Sequence, residues 1–204
     1  MLKASAQGVA TRGRILDSAF ATLREEGFSR TSARAVARRG GFNQALIFYH
    51  FGSLNGLLLA AMDRLGEERR RRYDEVLGSA SGPVDFAAGA RLLYAEDVDS
   101  GHSTVVAELF AASSGEPELR AEMLARMIPW LEFTEALIER FLAGSPFAAL
   151  VDARSAAGAV LSLYLGLDLL IQLDGDRSRA EAMFDSGDRL AATLAPLFGG
   201  VFLK

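Results

Sequence analysis

Apolar and polar residues alternate with a repeat of three or four positions along nearly the whole chain, which is the period of an amphipathic α-helix. In the segment 11–27, one helical face carries apolar side chains, namely those of Ile15, Leu16, Ala19, Phe20 and Leu23. Thr11 is the N-cap candidate of this helix, and Gly27 is its stop signal. Because strand-like alternation with hairpin turns is missing from the sequence, we predict an all-α fold of about nine helices.

Two short helices and a long one are predicted after the first. Ser32 is the capping residue of a helix at 32–41, which ends in a pair of glycines. Asn43 is the predicted N-cap of a third short helix that ends at the next glycine, and Ser53 caps a fourth helix at 54–78. The second and third helices are too short to be stable alone, so we expect them to pack against the first and the fourth.

Five more helices follow a linker of small residues at 78–82. The hydrophobic period predicts them at about 83–98, 103–113, 117–143, 153–173 and 178–197. Pro129 lies inside the third of these segments. Because proline has no amide donor and crowds the carbonyl group one turn earlier, we expect a kink or a break at this position.

Composition changes this picture little but restricts the chemistry. Half of the 204 residues are apolar, which is enough for a real core, and cysteine is absent, which excludes disulfides, thiolate metal sites and a cysteine nucleophile. A signal segment is not recognisable, and the most apolar stretch, 156–173, contains Asp168 and Gln172. We therefore expect a cytoplasmic protein without a membrane-spanning segment.

Charge is distributed unevenly along the chain. The first 53 residues contain eight Lys and Arg against three Asp and Glu, whereas the remainder contains 14 basic and 23 acidic residues. This split favours a nucleic-acid-binding head on an acidic body, although arginine-rich solvated helix faces produce the same count. The four arginines at 69–72 are interpreted as such a solvated face, since Glu67–Arg71 and Glu68–Arg72 have the spacing of ion pairs along a helix.

The two short helices joined through glycines have the organisation of a helix-turn-helix motif, which places its second helix in the DNA major groove. Gln44 is then positioned to pair with adenine, and Ala45 and Leu46 to contact thymine methyl groups. Tyr49 and His50 are expected to donate to phosphates. By their spacing, Ile47 and Phe51 belong to the core, and Phe48 fits either the core or the interface. The predicted DNA-binding set is Ser32, Arg34, Asn43, Gln44, Ala45, Leu46, Phe48, Tyr49 and His50.

Residues 11–62 resemble the DNA-binding domain of the TetR family of bacterial transcriptional regulators. The resemblance rests on "RILDSAFATLREEGF", "TSARAVARRGGF" and "IFYHFGSLNGLLLAAM". It implies a helix-turn-helix DNA-binding domain at 1–54 and a helical effector-binding and dimerisation domain at 55–204. It further implies a homodimer that controls genes and releases a double-stranded operator when a small-molecule effector binds.

Three residues depart from the pattern of that family. Leu54 stands where a lysine often contacts phosphate, Phe48 where a phosphate-binding tyrosine is common, and Leu46 where a smaller residue is usual. Each missing charge lowers the salt dependence of DNA binding by about one unit of slope. Arg34, with Arg12 or Arg14 near the amino terminus, is the expected compensation.

The resemblance places an effector pocket among the middle helices but does not identify its lining. The candidates are Tyr94, His102, Glu108, Phe110, Met123, Met127, Trp130, Phe133, Phe141, Tyr164 and Asp168. Most of the apolar candidates fit the core equally well, and Trp130 is favoured because a kink at Pro129 opens space beside it. Asp168 lies in an apolar helix and needs a partner if it is buried. The dimer interface, an intramolecular arginine and a cationic ligand are the three options, in that order.

The last two predicted helices carry more apolar surface than one chain can cover. We therefore expect a self-complementary four-helix contact between two copies, made by Leu161, Leu165, Leu169, Leu190, Leu194 and Leu197. Two DNA-binding heads related by a two-fold axis predict a palindromic operator.

An enzyme is the least favoured class. The chain has only two histidines, His50 and His102, and no phosphate-binding loop or nucleophile elbow. The segments 96–102 and 174–178 are polar helix connections rather than metal sites, so no metal and no cofactor are expected. We predict a regulator, most simply a repressor. The alternative is a helical ligand-binding or interaction protein with a weakened DNA-binding head.

Overall fold

The computed structural model describes residues 2–198, with side chains described from Gln7 onward. This part of the chain contains nine α-helices, two short 3-10 helices and no strand, which confirms the predicted all-α class. The α-helices are α1 (Leu2–Glu26), α2 (Ala33–Gly40), α3 (Ala45–Phe51), α4 (Leu54–Gly78), α5 (Pro83–Ser100), α6 (His102–Ser113), α7 (Pro117–Leu142), α8 (Ala153–Asp174) and α9 (Ser178–Leu194). The 3-10 helices are Phe28–Arg30 and Ala195–Phe198.

Side-chain caps begin α2, α3 and α4 at the residues that the sequence indicates. The hydroxyl of Ser32 accepts the amide of Ala35 at 3.1 Å. The side chain of Asn43 accepts the amide of Ala45 at 2.9 Å. Ser53 Oγ likewise accepts an amide of the first turn of α4, at 2.9 Å. These bonds satisfy amides that have no partner within the helix, and they confirm the three predicted caps.

One local prediction is wrong, and one alternative of another is excluded. Helix α1 begins at Leu2, so Thr11 lies within the helix and is not its N-cap. The residues before Thr11 are compatible with a helix, which therefore continues toward the amino terminus. Helix α7 runs through Pro129 without a break, so the predicted break is absent, and the alternative of a kink stays a prediction. Buried side chains on both sides of the proline, Met123 and Leu137, anchor the helix and offset the lost hydrogen bond.

The described residues form two compact units. Among the described residues, unit 1 consists of those up to Glu68 and of Thr104–Leu124, and unit 2 consists of Arg69–Ser103 and of those from Ala125 onward. The core of unit 1 includes Ile47, as predicted, and the Phe51 ring packs against it. Unit 2 has two smaller clusters, one around Leu93 and one around Tyr94. These units group residues by packing, and the functional boundary after residue 54 stays a prediction.

Candidate functional site

The turn between α2 and α3 requires glycine at two consecutive positions. Gly41 has a φ of 65°, in the left-handed region that glycine adopts without strain. A Cβ atom on Gly40 would overlap the ring of Phe42 and come within 2.5 Å of Ser18 Oγ. The turn therefore packs directly onto α1, which fixes where α3 begins.

Helix α3 has one buried side and one exposed side. Ile47 is fully buried, whereas Tyr49 is 81% exposed and Phe48, which fitted either environment, is 50% exposed. Gln44 and Ala45 are exposed on the same side, one turn before Phe48. The resulting α3 face, defined as Gln44, Ala45, Phe48 and Tyr49, offers an amide, a methyl group, a phenyl ring and a phenol to the outside of unit 1.

Two other predicted DNA-binding residues of α3 are less accessible. Leu46 is half-buried and packs against the core of unit 1. His50 is half-buried too, and its ring makes an edge contact with Tyr49 at 4.9 Å between centroids. Asn43 is exposed, but its side-chain oxygen is engaged in capping α3. Their contacts with DNA stay predictions.

The arginines of unit 1 fall into two groups. Arg24 and Arg39 form ion pairs with Glu25, at 3.1 and 2.6 Å, and the hydrogen bond from Arg39 lowers the pKa of this carboxyl. Arg12, Arg14, Arg34 and Arg38 belong to a second group, which has no carboxylate partner among the described residues, and these four are called the unpaired group. This unpaired group carries the positive charge that remains available to a polyanion.

The unpaired group includes two cations beside the rings that flank α3. The guanidinium of Arg12 lies 4.9 Å from the centroid of Phe51, and that of Arg14 lies 5.9 Å from the centroid of Phe42. Cation–π contacts of this kind orient a guanidinium without neutralising it. Arg34 and Arg38 are exposed on α2. Arg38, which the sequence did not single out, therefore joins the candidate set.

Three residues predicted to line an effector pocket lie in unit 1, namely Glu108, Phe110 and Met123, and Met123 is part of its buried core. The Glu108 carboxylate accepts the amide of Phe28 at 2.6 Å and so holds the connection between α1 and α2. Phe110 packs against the core of the same unit. Leu54, the position of a frequent phosphate-binding lysine, also packs against this core. The ligand roles of Glu108 and Phe110 stay predictions, but both side chains have structural partners.

Unit 2 contains a buried polar cluster centred on Asp97, which is 3% exposed. Its carboxylate accepts the hydroxyl of Tyr73 at 2.6 Å and that of Tyr164 at 2.9 Å, and it lies 2.5 Å from Arg69 Nε. Burial, followed by the charge of Asp97, raises the pKa of both tyrosines well above the ordinary value. His102 Nδ1 lies 3.6 Å from the same carboxylate. Sequence reasoning named Tyr164 and His102 but missed Asp97, because its partners are distant in the chain.

The arginine run at the end of α4 pairs differently from the prediction. Arg72 makes a forked contact with Glu96 of α5, at 2.7 and 3.2 Å, rather than with Glu68. These hydrogen bonds lower the pKa of Glu96. Arg69 reaches the same carboxylate at 3.3 Å. The arginines at 69 and 72 therefore join α4 to α5, and they are not a free basic patch.

Asp168 is 1% exposed, and neutral groups satisfy it. Ser103 Oγ donates to one carboxylate oxygen, and Gln172 Nε2 donates to the other, both at 2.5 Å. Ser103 and Gln172 are not among the partners expected from the sequence, which were the dimer interface, an intramolecular arginine and a cationic ligand. Among the described residues, no group of His, Asp and Glu side chains has the arrangement of a metal site.

A small cleft of about 100 Å³ lies between α5, α8 and α9 in unit 2. It is lined by Arg91, Tyr94, Ala95, Val98, Ile171, Arg177, Ala180, Glu181 and Phe184. The Tyr94 hydroxyl is buried without a hydrogen-bond partner in the described chain, and burial together with the charge of Asp168 raises its pKa to about 12. Among the predicted pocket residues, Tyr94 lines this cleft. The ring of Tyr164 packs edge-on against the ring of Tyr94.

The remaining pocket candidates of α7 lie elsewhere in unit 2. Trp130 packs edge-on against Tyr73 at 5.7 Å and against Phe133 at 6.0 Å. Met127 is half-buried, and Phe141 packs against Phe86 at 4.7 Å. These rings lie among the core of unit 2, and their ligand roles stay predictions.

Helices α8 and α9 expose a band of large apolar side chains. Leu169, Leu190 and Leu197 of the predicted interface are more than half exposed, whereas the other three predicted leucines, Leu161, Leu165 and Leu194, are half-buried. Four further exposed residues of α8 were not named from the sequence: Val160, Leu163, Leu170 and Leu173. By length and composition alone, α8 would also pass as a membrane-spanning helix. The band needs a partner, since exposed apolar surface of this extent is unusual in a soluble monomer.

Comparisons with known proteins agree with this geometry. Residues 15–61 match the model of the tetR family of bacterial regulatory proteins. No curated protein matches the chain in sequence. Among solved structures, a TetR transcriptional regulator from Legionella pneumophila is similar, with a TM-score of 0.70 and 18% identity over 87% of this chain and 95% of that one.

Two regulators named FadR have the same fold, and the first of them is a regulator of fatty acid degradation. FadR from Bacillus halodurans has a TM-score of 0.72 and 16% identity, covering 93% of this chain and 95% of its own. FadR from Bacillus subtilis, solved in complex with stearoyl-CoA, has a TM-score of 0.71 and 14% identity, covering 87% and 96%. The helix-turn-helix arrangement of residues 15–61 matches the tetR family of bacterial regulatory proteins, and the chain as a whole shares the fold of solved TetR-family regulators.

Proposed function

We propose that the chain is a cytoplasmic, homodimeric repressor that binds a palindromic double-stranded operator and leaves it when a small-molecule effector binds. The observation that carries this proposal is the α3 face, which is exposed beside arginines without carboxylate partners. A surface that combines hydrogen-bonding and apolar side chains with unneutralised cations fits the major groove and its phosphates. Residues 1–54 supply this DNA-binding function, and residues 55–204 supply effector binding and dimerisation.

Each group on this surface has a distinct role. Gln44 reads an adenine edge, and Tyr49, whose side chain is 81% exposed, donates to a phosphate. Arg34 and the other members of the unpaired group contribute the phosphate neutralisation that makes binding salt-dependent. The capped start of α3 and the glycine turn hold these side chains in a fixed register on unit 1.

The exposed band on α8 and α9 supports the homodimer. The α8 residues Val160, Leu163, Leu170 and Leu173 recur every three or seven positions, so they lie along one side of the helix. A second copy covers such a band with the same residues, which is the requirement of a two-fold contact. We favour this occupant over a membrane because α8 also carries a buried, hydrogen-bonded carboxylate, that of Asp168.

An effector is proposed to bind within unit 2. The buried polar cluster and the cleft at Tyr94 provide polar groups inside an apolar surround, which is the usual composition of a small-molecule site. The FadR of Bacillus subtilis was solved with stearoyl-CoA, which is a precedent for a ligand on this fold and does not identify the ligand here. Helices α4, α6 and α7 contribute residues to both units, so they are the route by which binding in one unit can affect the other.

The test is binding of the purified protein to the duplex DNA that flanks its own coding region, at two salt concentrations with nonspecific competitor. We expect specific retention that weakens steeply with salt. The Gln44→Ala variant should lose sequence preference, and Tyr49→Phe should weaken binding to all sequences alike. An unchanged sequence preference in Gln44→Ala would remove the base-reading role from this residue.

The arginines provide a matched pair of variants. Arg34→Ala should lower the slope of log affinity against log salt by about one unit, because it removes one phosphate contact. Arg39→Ala, whose guanidinium is already paired with Glu25, should change that slope much less. Equal slopes for both variants would contradict the assignment of phosphate contacts. A complete lack of specific retention at low salt would favour the alternative, a ligand-binding or interaction protein with a weakened head.

A further inference from the structure

Phe48 is the largest side chain of the α3 face that has no polar group to offer to DNA. Its side chain is 50% exposed, whereas the adjacent Ile47 is fully buried. The side chain has no donor or acceptor, so it cannot bind a phosphate or a polar base edge. The one apolar group that a base pair presents in the major groove is the 5-methyl group of thymine.

The side chains next to Phe48 on α3 also suit the groups that an A·T pair presents in the major groove. Ala45 and Gln44 precede it by three and four residues, which places all three on one side of α3. An alanine methyl group also suits thymine, and a glutamine amide pairs with adenine. The side chain of Asn43 is occupied by the cap of α3, so Gln44 is the free amide at this end.

The composition of α3 also excludes the most frequent contact to guanine. Arginine or lysine is the usual partner of guanine in the major groove. Helix α3 contains neither, and the unpaired arginines of unit 1 lie on α1 and α2. We propose that Gln44, Ala45 and Phe48 read A·T pairs, and that the phenyl ring of Phe48 contacts a thymine methyl group in each operator half-site. This inference rests on the proposed function, since it requires specific binding to duplex DNA.

The experiment uses the full-length protein and operators enriched from a pool of random duplexes. Thymines of the enriched half-site are replaced one at a time, symmetrically, by deoxyuridine, which removes the methyl group and keeps the base pairing. Affinity is measured by fluorescence anisotropy at one fixed salt concentration. We expect one thymine position at which the replacement weakens binding by about fourfold for each methyl group lost.

Two variants assign this effect to a residue. Phe48→Ala should bind the thymine duplex more weakly than the wild type, and it should bind the thymine and deoxyuridine duplexes equally well. Tyr49→Phe is the matched control: it should weaken both duplexes alike and keep the wild-type sensitivity to deoxyuridine. Because both side chains are exposed, each variant should retain its circular dichroism spectrum and melting temperature.

Three results would overturn the inference. Wild-type protein that binds every deoxyuridine duplex as tightly as the thymine duplex does not use the methyl groups. Enriched half-sites that contain no A·T pair exclude the proposed reading directly. A Phe48→Ala variant that remains sensitive to deoxyuridine assigns the methyl contact to another residue. In all three cases specific DNA binding, and with it the proposed function, would stand; failure to enrich any duplex would remove both.

Discussion

Replacing Asp97 with asparagine removes one buried charge and leaves the shape of the side chain almost unchanged. The carboxylate has two tyrosine hydroxyls at 2.6 and 2.9 Å and Arg69 Nε at 2.5 Å. The Arg69 side chain is only 13% exposed, so the Asp97→Asn variant leaves a poorly hydrated guanidinium. Removing one partner of a buried pair costs about 3 to 5 kcal/mol. Because Arg69 also reaches Glu96 at 3.3 Å, we expect the lower value, about 3 kcal/mol.

The loss is measured by urea unfolding at a fixed protein concentration, followed by circular dichroism and by tryptophan fluorescence. Trp130, the single tryptophan, packs 5.7 Å from the ring of Tyr73 and therefore reports on this cluster. For a chain of this length, each kcal/mol corresponds to roughly 2 to 4 °C in melting temperature. The Asp97→Asn variant should therefore melt about 6 to 12 °C below the wild type.

Asp99→Asn is the matched control, two residues further along α5. The side chain of Asp99 is 65% exposed and pairs with Arg177 at the surface. An exposed ion pair contributes less than about 1 kcal/mol, so this variant should melt close to the wild type. Equal losses of stability in the two variants would refute this reasoning. They would mean that the contribution of Asp97 to the free energy of unfolding does not come from its burial.

Three further predictions concern other parts of the chain. Gly40→Ala should destabilise the protein by about 1 to 3 kcal/mol, because the added methyl group overlaps Phe42. Gly13→Ala, at a position with open space, should stabilise α1 by up to about 1 kcal/mol. Thermal melts measure both changes. The pKa of Glu96 lies below its ordinary 4.5, so its contribution is present above that pH and is lost on acidification; Glu96→Gln should lose less stability than the wild type between pH 5 and pH 3. Leu173→Lys, at a side chain 74% exposed, should leave the melting of the subunit unchanged and weaken the proposed dimer at least about tenfold in sedimentation equilibrium. A stability loss in that variant without dissociation would contradict the interface.

The helices could be predicted closely because their signals are local. The caps at Ser32, Asn43 and Ser53 and the helical period act over a few residues, and each is visible in the sequence. The exposed side of α3 around Gln44 and Tyr49 followed from the same information, since Ile47 and Phe51 mark the buried side of that short helix. The N-cap predicted at Thr11 and the break allowed at Pro129 are absent, because neighbouring helical residues and packing override a weak start signal and a helix breaker.

The buried polar groups were not predicted with their partners. Asp97 and Arg69 come from different helices, and Ser103 and Asp168 are separated by 65 residues. A helical period tells which side of a helix is apolar, but it does not tell which helix packs there or at which height. The partner of a buried carboxylate depends on both.

The sequence alone determined the all-α class, the start and end of most helices, and a helix-turn-helix head with an uneven charge distribution, because each depends on residues close together in the chain. Only the tertiary structure decided which arginines are neutralised, as Arg39 is and Arg34 is not, and which carboxylates are buried among neutral or charged partners. It also decided that Phe48 stays exposed. These are properties of side chains brought together from distant positions, and packing free energy rather than local propensity fixes them.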